Sequence, residues 1–180
     1  LSVSLPKCLF GFKERKPFTK KHGEELLKQE LSTQIVLEAI IGSASEFYQS
    51  LYDEGLINES FGFDYVLDQN FGFSVLGGDT PEPERLISRV KEEFSKRVDE
   101  GITEREFEWI RKKKIGAHLR YLNSPEWIAN QFTHYRFNQS DVFKMIPTLE
   151  KLTLEEVNQR LREHVYFDQF TVSMVLPKSA

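Results

Sequence analysis

Apolar side chains recur every three or four positions in several long segments, and each such segment predicts a helix with one face in a core. The first begins near His22 or Gly23 and ends at Gly42. Later helix starts are marked by a Ser or Thr followed three residues on by Glu, or by a Ser or Thr directly before Pro. These signals occur at Ser43, Thr80, Thr103, Ser124 and Thr153.

Alternation of apolar and other residues predicts strands at the start, middle and end of the chain, over residues 8–13, 61–67, 71–76 and 167–176. The short polar turn Asp68-Gln69-Asn70 joins the middle two into a hairpin. In each hairpin strand the aromatic residues share one face. Glycines leave the other face bare, so that a helix or another backbone can approach it closely.

The predicted order is strand, helices, hairpin, helices, strand. This is the β-α-β-β-α-β plan of a ferredoxin-like split unit, with extra helices in the second crossover. The expected fold class is therefore α+β, with a mixed, mostly antiparallel sheet and helices packed on one face. Residues 1–180 are expected to form a single domain. Because the first residue is Leu1 and not Met, the chain is interpreted as a piece of a longer polypeptide.

Composition removes several classes of function. Apolar residues make up 39% and charged residues 29%, as in a folded globular protein. Without an apolar run of about 20 residues or a signal peptide, a membrane partner is not expected. The net charge of -4 gives no general attraction to nucleic acid. Cys8 is the single cysteine and is predicted to be a buried thiol, which favours a reducing, cytoplasmic location.

The four histidines give no metal signature. No two of them lie within one helical turn, and neither H-E-x-x-H nor H-x-x-E-H occurs; they are His22, His118, His134 and His164. Among them, His134 beside Tyr135 is the one predicted to have a role if any does. No metal ligand, catalytic residue or cofactor is therefore predicted within this chain.

One region carries a family resemblance. A helix leads into Leu51, an acidic turn and Gly55-Leu56, then into the hairpin and Asp79-Thr80-Pro81, and Gly101-Ile102-Thr103 later opens a basic helix. This order resembles the second-half domain of pitrilysin/insulinase-family (inverzincin) zinc peptidases, processing-peptidase-like and of the bacterial type. The resemblance implies a peptide substrate, a homologous N-terminal domain or partner subunit, and zinc in that missing half.

Two positions depart from the family pattern. Some second-half domains place an arginine and a tyrosine around the Gly-Leu pair, where they reach the substrate carbonyl. Here Tyr52 and Asn58 stand at those positions. The Tyr52 hydroxyl can donate a hydrogen bond but cannot supply a permanent positive charge. Both are predicted to be near substrate; the competing interpretation is a surface tyrosine at a helix end and a turn asparagine.

The leading hypothesis is the non-metal-binding half of a zinc metallopeptidase, which closes the substrate chamber and is inactive alone. One alternative is a noncatalytic structural subunit homologous to such a peptidase. Another is a ferredoxin-like RNA-binding module, because residues 70–75 are superficially similar to an RNA-recognition strand. The acidic charge and the missing basic residue before that strand argue against RNA.

Overall fold

The computed structural model describes residues 4–15 and 23–177. Its sheet contains four strands, β1 (Lys7–Phe12), β2 (Gly62–Leu67), β3 (Gly72–Asp79) and β4 (Phe170–Val175), in the order β2-β3-β1-β4. All three neighbouring pairs are antiparallel. The predicted α+β class is confirmed. The sheet was expected to be mixed and mostly antiparallel, and in the described residues all of its strand pairs are antiparallel. His22, one of the two positions predicted for the start of the first helix, lies outside the described residues.

In the described residues, seven α-helices pack against this sheet or connect its strands: α1 (Glu24–Ile41), α2 (Glu46–Asp53), α3 (Pro83–Glu100), α4 (Glu104–Tyr121), α5 (Pro125–Phe137), α6 (Met145–Lys151) and α7 (Leu154–His164). Short 3₁₀ turns occur at Val142–Lys144 and Phe167–Gln169. Helix α1 is the central helix, since most of its side chains are buried and it contacts β2, α4, α6 and α7. None of the helices in the described ranges is long and apolar enough to cross a membrane.

The helix caps predicted from the sequence divide into two groups. Thr103 and Thr153 form reciprocal capping boxes with Glu106 and Glu156, as predicted. The predicted box of Ser43 with Glu46 is wrong. Ser45 caps α2 instead, because its extended backbone lets its hydroxyl accept the N–H of Tyr48 at 3.1 Å.

The start of α3 was also predicted too early. The helix begins at Pro83, and Thr80 lies fully buried before it. The hydroxyl of Thr80 accepts the N–H of Glu82 at 3.3 Å, which fixes the turn that precedes the helix. Proline still occupies the first helical turn, where its missing N–H costs nothing.

The two faces of the sheet differ in what covers them. On the helix side, Phe10 and Phe12 of β1, Tyr65 of β2 and Leu76 of β3 are buried in the core. Within the hairpin, Tyr65 pairs with Ser74 and Val66 with Phe73. Because side chains alternate across a strand, the aromatic face of β2 therefore points into the core while that of β3 points away from it.

Candidate functional site

The turn after α2 contains both predicted substrate-proximal residues. Tyr52 lies in the last turn of α2 with 46% of its surface exposed. Gly55 takes a left-handed φ of 69°, a conformation common just after a helix end. Asn58 is half-buried, and its side-chain oxygen accepts the N–H of Ser60 at 2.8 Å. Asn58 therefore shapes the turn, and the substrate contact of both residues stays a prediction.

The histidines are spread over the molecule. His134 is exposed on α5 with its ring against Tyr135, whereas His118 on α4 packs beside Tyr121 and Trp127. His164 at the end of α7 is 1% exposed. Within residues 4–15 and 23–177, no group of three His, Cys, Asp or Glu side chains is arranged to hold a metal ion. His22 lies outside these ranges, and the buried His164, not His134, belongs to a polar cluster.

His118 gives rise to a pH-dependent prediction. Both its ring nitrogens are buried and have no hydrogen-bond partner among the residues that the structure describes, and burial together with Lys114 lowers its pKa to about 4. Because the folded pKa lies below the unfolded value, His118 contributes stability above pH 6.5 that is lost as the pH falls towards 4. We expect His118→Phe to reduce the loss of unfolding free energy between pH 7.5 and 5.0 by about 1–2 kcal/mol.

The measurement is urea unfolding of the two proteins at both pH values. His134→Phe is the matched control, since it removes an imidazole from an exposed position on the neighbouring helix. An unchanged pH dependence in His118→Phe would contradict the assignment of acid sensitivity to this imidazole.

The buried polar cluster joins four distant parts of the chain. We define it as Glu14, Tyr65, Ser74, Arg160 and His164, each less than a tenth exposed. His164 Nδ1 lies 2.8 Å from Glu14 Oε1, and His164 Nε2 lies 2.9 Å from Ser74 Oγ. The Tyr65 hydroxyl donates to Glu14 at 2.8 Å, and an Arg160 guanidinium nitrogen contacts the same carboxylate oxygen. The cluster fastens α7 to strands β2 and β3 and to the end of β1.

Protonation states in this cluster follow from burial and charge. Burial alone would raise the pKa of Glu14, but the hydrogen bond from His164 and the charge of Arg160 outweigh it and lower the pKa to about 2. Burial and Arg160 lower the pKa of His164. Glu14 is therefore ionised beside Arg160, and His164 is neutral. Since an ionised carboxylate can only accept, His164 Nδ1 carries the hydrogen and Nε2 accepts from Ser74.

Ser74, His164 and Glu14 reproduce the order of contacts in a serine-hydrolase triad. The surroundings do not support that chemistry. Ser74 is 2% exposed, and its oxygen already accepts the N–H of Phe12 at 3.1 Å. No substrate carbonyl can come within reach of a hydroxyl that is closed in by the core. We therefore interpret the cluster as a buried, hydrogen-bonded network that fixes the fold.

The other notable surface is the side of the sheet that faces away from the helices. We define this open face by Leu9, Phe71, Phe73 and Val75. Leu9 is 40% and Phe71 is 46% exposed, and the rings of Phe71 and Phe73 stack at 6.3 Å. A group of exposed apolar side chains on one sheet face is typical of a surface that meets another molecule or domain.

Comparison with known families decides the identity of this fold. The model of the peptidase M16 inactive domain matches residues 8–114. The chain belongs to the peptidase M16 inactive-domain family. The predicted relationship to the second half of a zinc peptidase is thereby confirmed.

Individual relatives of this M16 domain support the same conclusion. An uncharacterized zinc protease of Bacillus subtilis, YmfH, is 47% identical over 99% of the chain. The crystal structure of a putative M16-like peptidase from Alicyclobacillus acidocaldarius is 33% identical, with a TM-score of 0.91 over 99% of the chain. The inactive peptidase domain of a putative zinc protease from Bordetella parapertussis shares the fold, with a TM-score of 0.71 at 14% identity.

The M16 domain is a part of the longer relatives. It spans 41% of the B. subtilis protein and 42% of the A. acidocaldarius chain. The relatives named as proteases support its assignment as the inactive domain of a zinc-protease-like protein, and they do not support the structural-subunit or RNA-binding alternatives. The buried triad-like cluster is consistent with a domain whose role is architectural.

Proposed function

We propose that this M16 domain closes the substrate chamber of a zinc metalloendopeptidase whose catalytic centre lies in a homologous N-terminal domain or partner subunit. The observation that carries this proposal is the family match together with the share of the relatives, 41–42%, that the domain spans. Most of each relative therefore lies outside the matched region, which leaves room for a catalytic half.

The surface chemistry of the domain fits an enclosing role. The open face offers apolar contacts and is bordered by Lys13, which suits the backbone and apolar side chains of peptides of differing sequence. Tyr52 is exposed at the end of α2, where its hydroxyl can donate to a peptide carbonyl. A peptide substrate, and no nucleic acid or membrane, is therefore the proposed ligand of the assembled protein.

Zinc belongs to the catalytic half in this proposal. There it supplies a Lewis acid and lowers the pKa of a bound water, which makes a nucleophile for peptide hydrolysis. This chain contributes enclosure and no ligand. We place the protein in the cytoplasm, because its single cysteine, Cys8, is a buried free thiol and suits a reducing compartment. The order of elements around Gly55-Leu56 and the hairpin supports a processing-peptidase-like parent protein.

The first test measures metal and activity together. The purified 180-residue chain is expected to contain less than about 0.1 equivalent of zinc, because the zinc ligands lie elsewhere. For the same reason it is expected to leave a quenched fluorescent peptide uncut. Addition of the remaining part of the B. subtilis relative is expected to restore cleavage that a chelator abolishes.

Ser74→Ala is the matched control, because it removes the hydroxyl that lies against His164 Nε2. Cleavage by the isolated chain that disappears in Ser74→Ala would assign hydrolysis to the cluster and overturn the proposal. Chelator-sensitive cleavage by the isolated chain would overturn it equally.

A further inference from the structure

The outer edge of β4 lacks the features that normally keep an edge strand from pairing. In the described part of the chain, β4 pairs with β1 alone and ends the sheet. From Phe170 to Leu176 the sequence contains no charged residue, proline or glycine. Met174, Val175 and Leu176 are 43%, 42% and 59% exposed. An exposed apolar edge of this kind is a template for another strand.

The opposite edge of the same sheet shows the contrast. Strand β2 carries Asp64, whose side-chain oxygen accepts the N–H of Tyr65 at 2.8 Å. A charged residue that also occupies a main-chain donor discourages further pairing. The sheet therefore has one protected edge and one unprotected edge.

The sequence of β4 is self-complementary in an antiparallel arrangement centred on Ser173. This register sets Phe170 opposite Leu176 and Val172 opposite Met174 on the core side. It sets Thr171 opposite Val175 and Ser173 opposite itself on the open side. No like charges meet, the core-side pairs are apolar against apolar, and Thr171 opposite Val175 is a pair of β-branched residues; such cross-strand pairs stabilise neighbouring strands.

We propose that β4 pairs antiparallel with β4 of a second copy of this chain, about a two-fold axis at Ser173. The contact is isologous, so it closes at two copies and cannot grow into a fibre. Two four-stranded sheets become one continuous sheet. Because Leu9 pairs with Ser173, the open faces of the two copies join into a single apolar surface. This inference does not depend on the proposed peptidase function.

Site-directed cross-linking tests the register. Ser173 is exposed, and strands paired at a self-opposed residue bring the two Cβ atoms to about 5 Å, within reach of a disulfide. Under mild oxidation, Ser173→Cys is expected to convert more than half of the chain into a covalent dimer of twice 21.1 kDa. Cys8 is fully buried and does not interfere.

Thr171→Cys is the matched control on the same strand and the same face. In the proposed register the two residues 171 lie about 13 Å apart, too far for a disulfide. It is expected to form no covalent dimer alone and to cross-link when mixed with Val175→Cys. Equal cross-linking of Thr171→Cys and Ser173→Cys would indicate random collision and overturn the proposal.

The unmodified chain provides the second measurement. In sedimentation equilibrium its mean mass is expected to rise from 21.1 kDa with concentration, and Ser173→Asp, which sets two carboxylates against each other, is expected to remain at 21.1 kDa. A mass of 21.1 kDa for both proteins at every concentration, with Ser173→Cys uncross-linked, would also overturn it. Peptidase activity plays no part in either readout.

Discussion

Replacement of Arg160 by methionine is expected to lower the free energy of unfolding by about 3–5 kcal/mol, the cost of leaving one partner of a buried ion pair behind. Arg160 contacts Glu14 and donates through Nε to Thr33 Oγ1 at 2.7 Å, and both charged side chains are more than nine-tenths buried. Methionine fills much of the same space but leaves Glu14 without its neutralising charge. Urea unfolding at pH 7.5 measures the loss.

Arg162→Met is the matched control, because Arg162 lies on the same helix but is exposed. Its effect is expected to stay within about 0.5 kcal/mol. The double substitution Glu14→Gln with Arg160→Met separates charge from packing: removal of both charges is expected to recover at least half of the loss. If the double variant lost as much unfolding free energy as the two single variants added together, packing and not the unpaired carboxylate would be the cause of the effect.

The pH dependence of the same variants gives an independent check. The folded pKa of Glu14 is lowered to about 2, so its contribution is present at neutral pH and is lost as the pH falls through about 4.5 towards 2. In Arg160→Met the unfolding free energy is expected to fall less steeply as the pH is lowered. Without Arg160 the ionised form of Glu14 is less stabilised, so its protonation costs less stability. Between pH 4.5 and 3 the unfolding free energies of the two proteins should converge.

Local sequence signals predicted most of the elements of this fold. The capping boxes at Thr103 and Thr153, the proline after Ser124 and the hairpin turn at residues 68–70 each act within a few residues, so the sequence contains the whole interaction. Helix starts failed where two hydroxyl residues competed, as Ser43 and Ser45 do before α2. There the backbone conformation decides which hydroxyl reaches an N–H.

The buried cluster was not predicted, because its parts lie far apart in the chain. Arg160 and Glu14 are separated by 146 positions, and no short pattern marks such a pair. One signal was available: Arg160 lies in the apolar stripe that Val157, Leu161 and His164 form on α7. A charged residue within a core-facing stripe needs a buried partner, since an unpaired charge there is very costly. The prediction that singled out His134 did not take this charged position in the stripe of α7 into account.

The open side of β3 shows the same limit of sequence reasoning. Alternation correctly placed Phe71 and Phe73 on one face, but it cannot decide which face of a strand meets the helices. That choice depends on pairing: Ser74 lies beside Tyr65 on the core side, where it completes the cluster. The aromatic residues at positions 71 and 73 therefore lie on the open face. The core tolerates the buried serine because its hydroxyl forms a hydrogen bond with His164.

The substitution of Gly11 by alanine is expected to lower the free energy of unfolding by about 3 kcal/mol, at the upper end of overpacking effects. A Cβ at Gly11 would lie 1.8 Å from the carbonyl oxygen and 2.7 Å from the carbonyl carbon of Ser74. These are backbone atoms, so no rotamer change can relieve the contact. At the same place the Phe12 N–H bonds to Ser74 Oγ, so separation of β1 from β3 also breaks the link to His164.

Gly116→Ala makes the same chemical change at an open position of helix α4, where an added Cβ meets nothing within 4 Å. There the expected effect has the opposite sign, a gain of about 0.5–1 kcal/mol from helix propensity. Unfolding in urea measures both values, and hydrogen exchange at the Phe12 amide reports whether its bond to Ser74 is lost in Gly11→Ala. A Gly11→Ala variant as stable as the unmodified chain, with the Phe12 amide still protected, would contradict this prediction. It would show that β1 and β3 can accommodate a Cβ at position 11 and that their close approach does not hold Ser74 against His164.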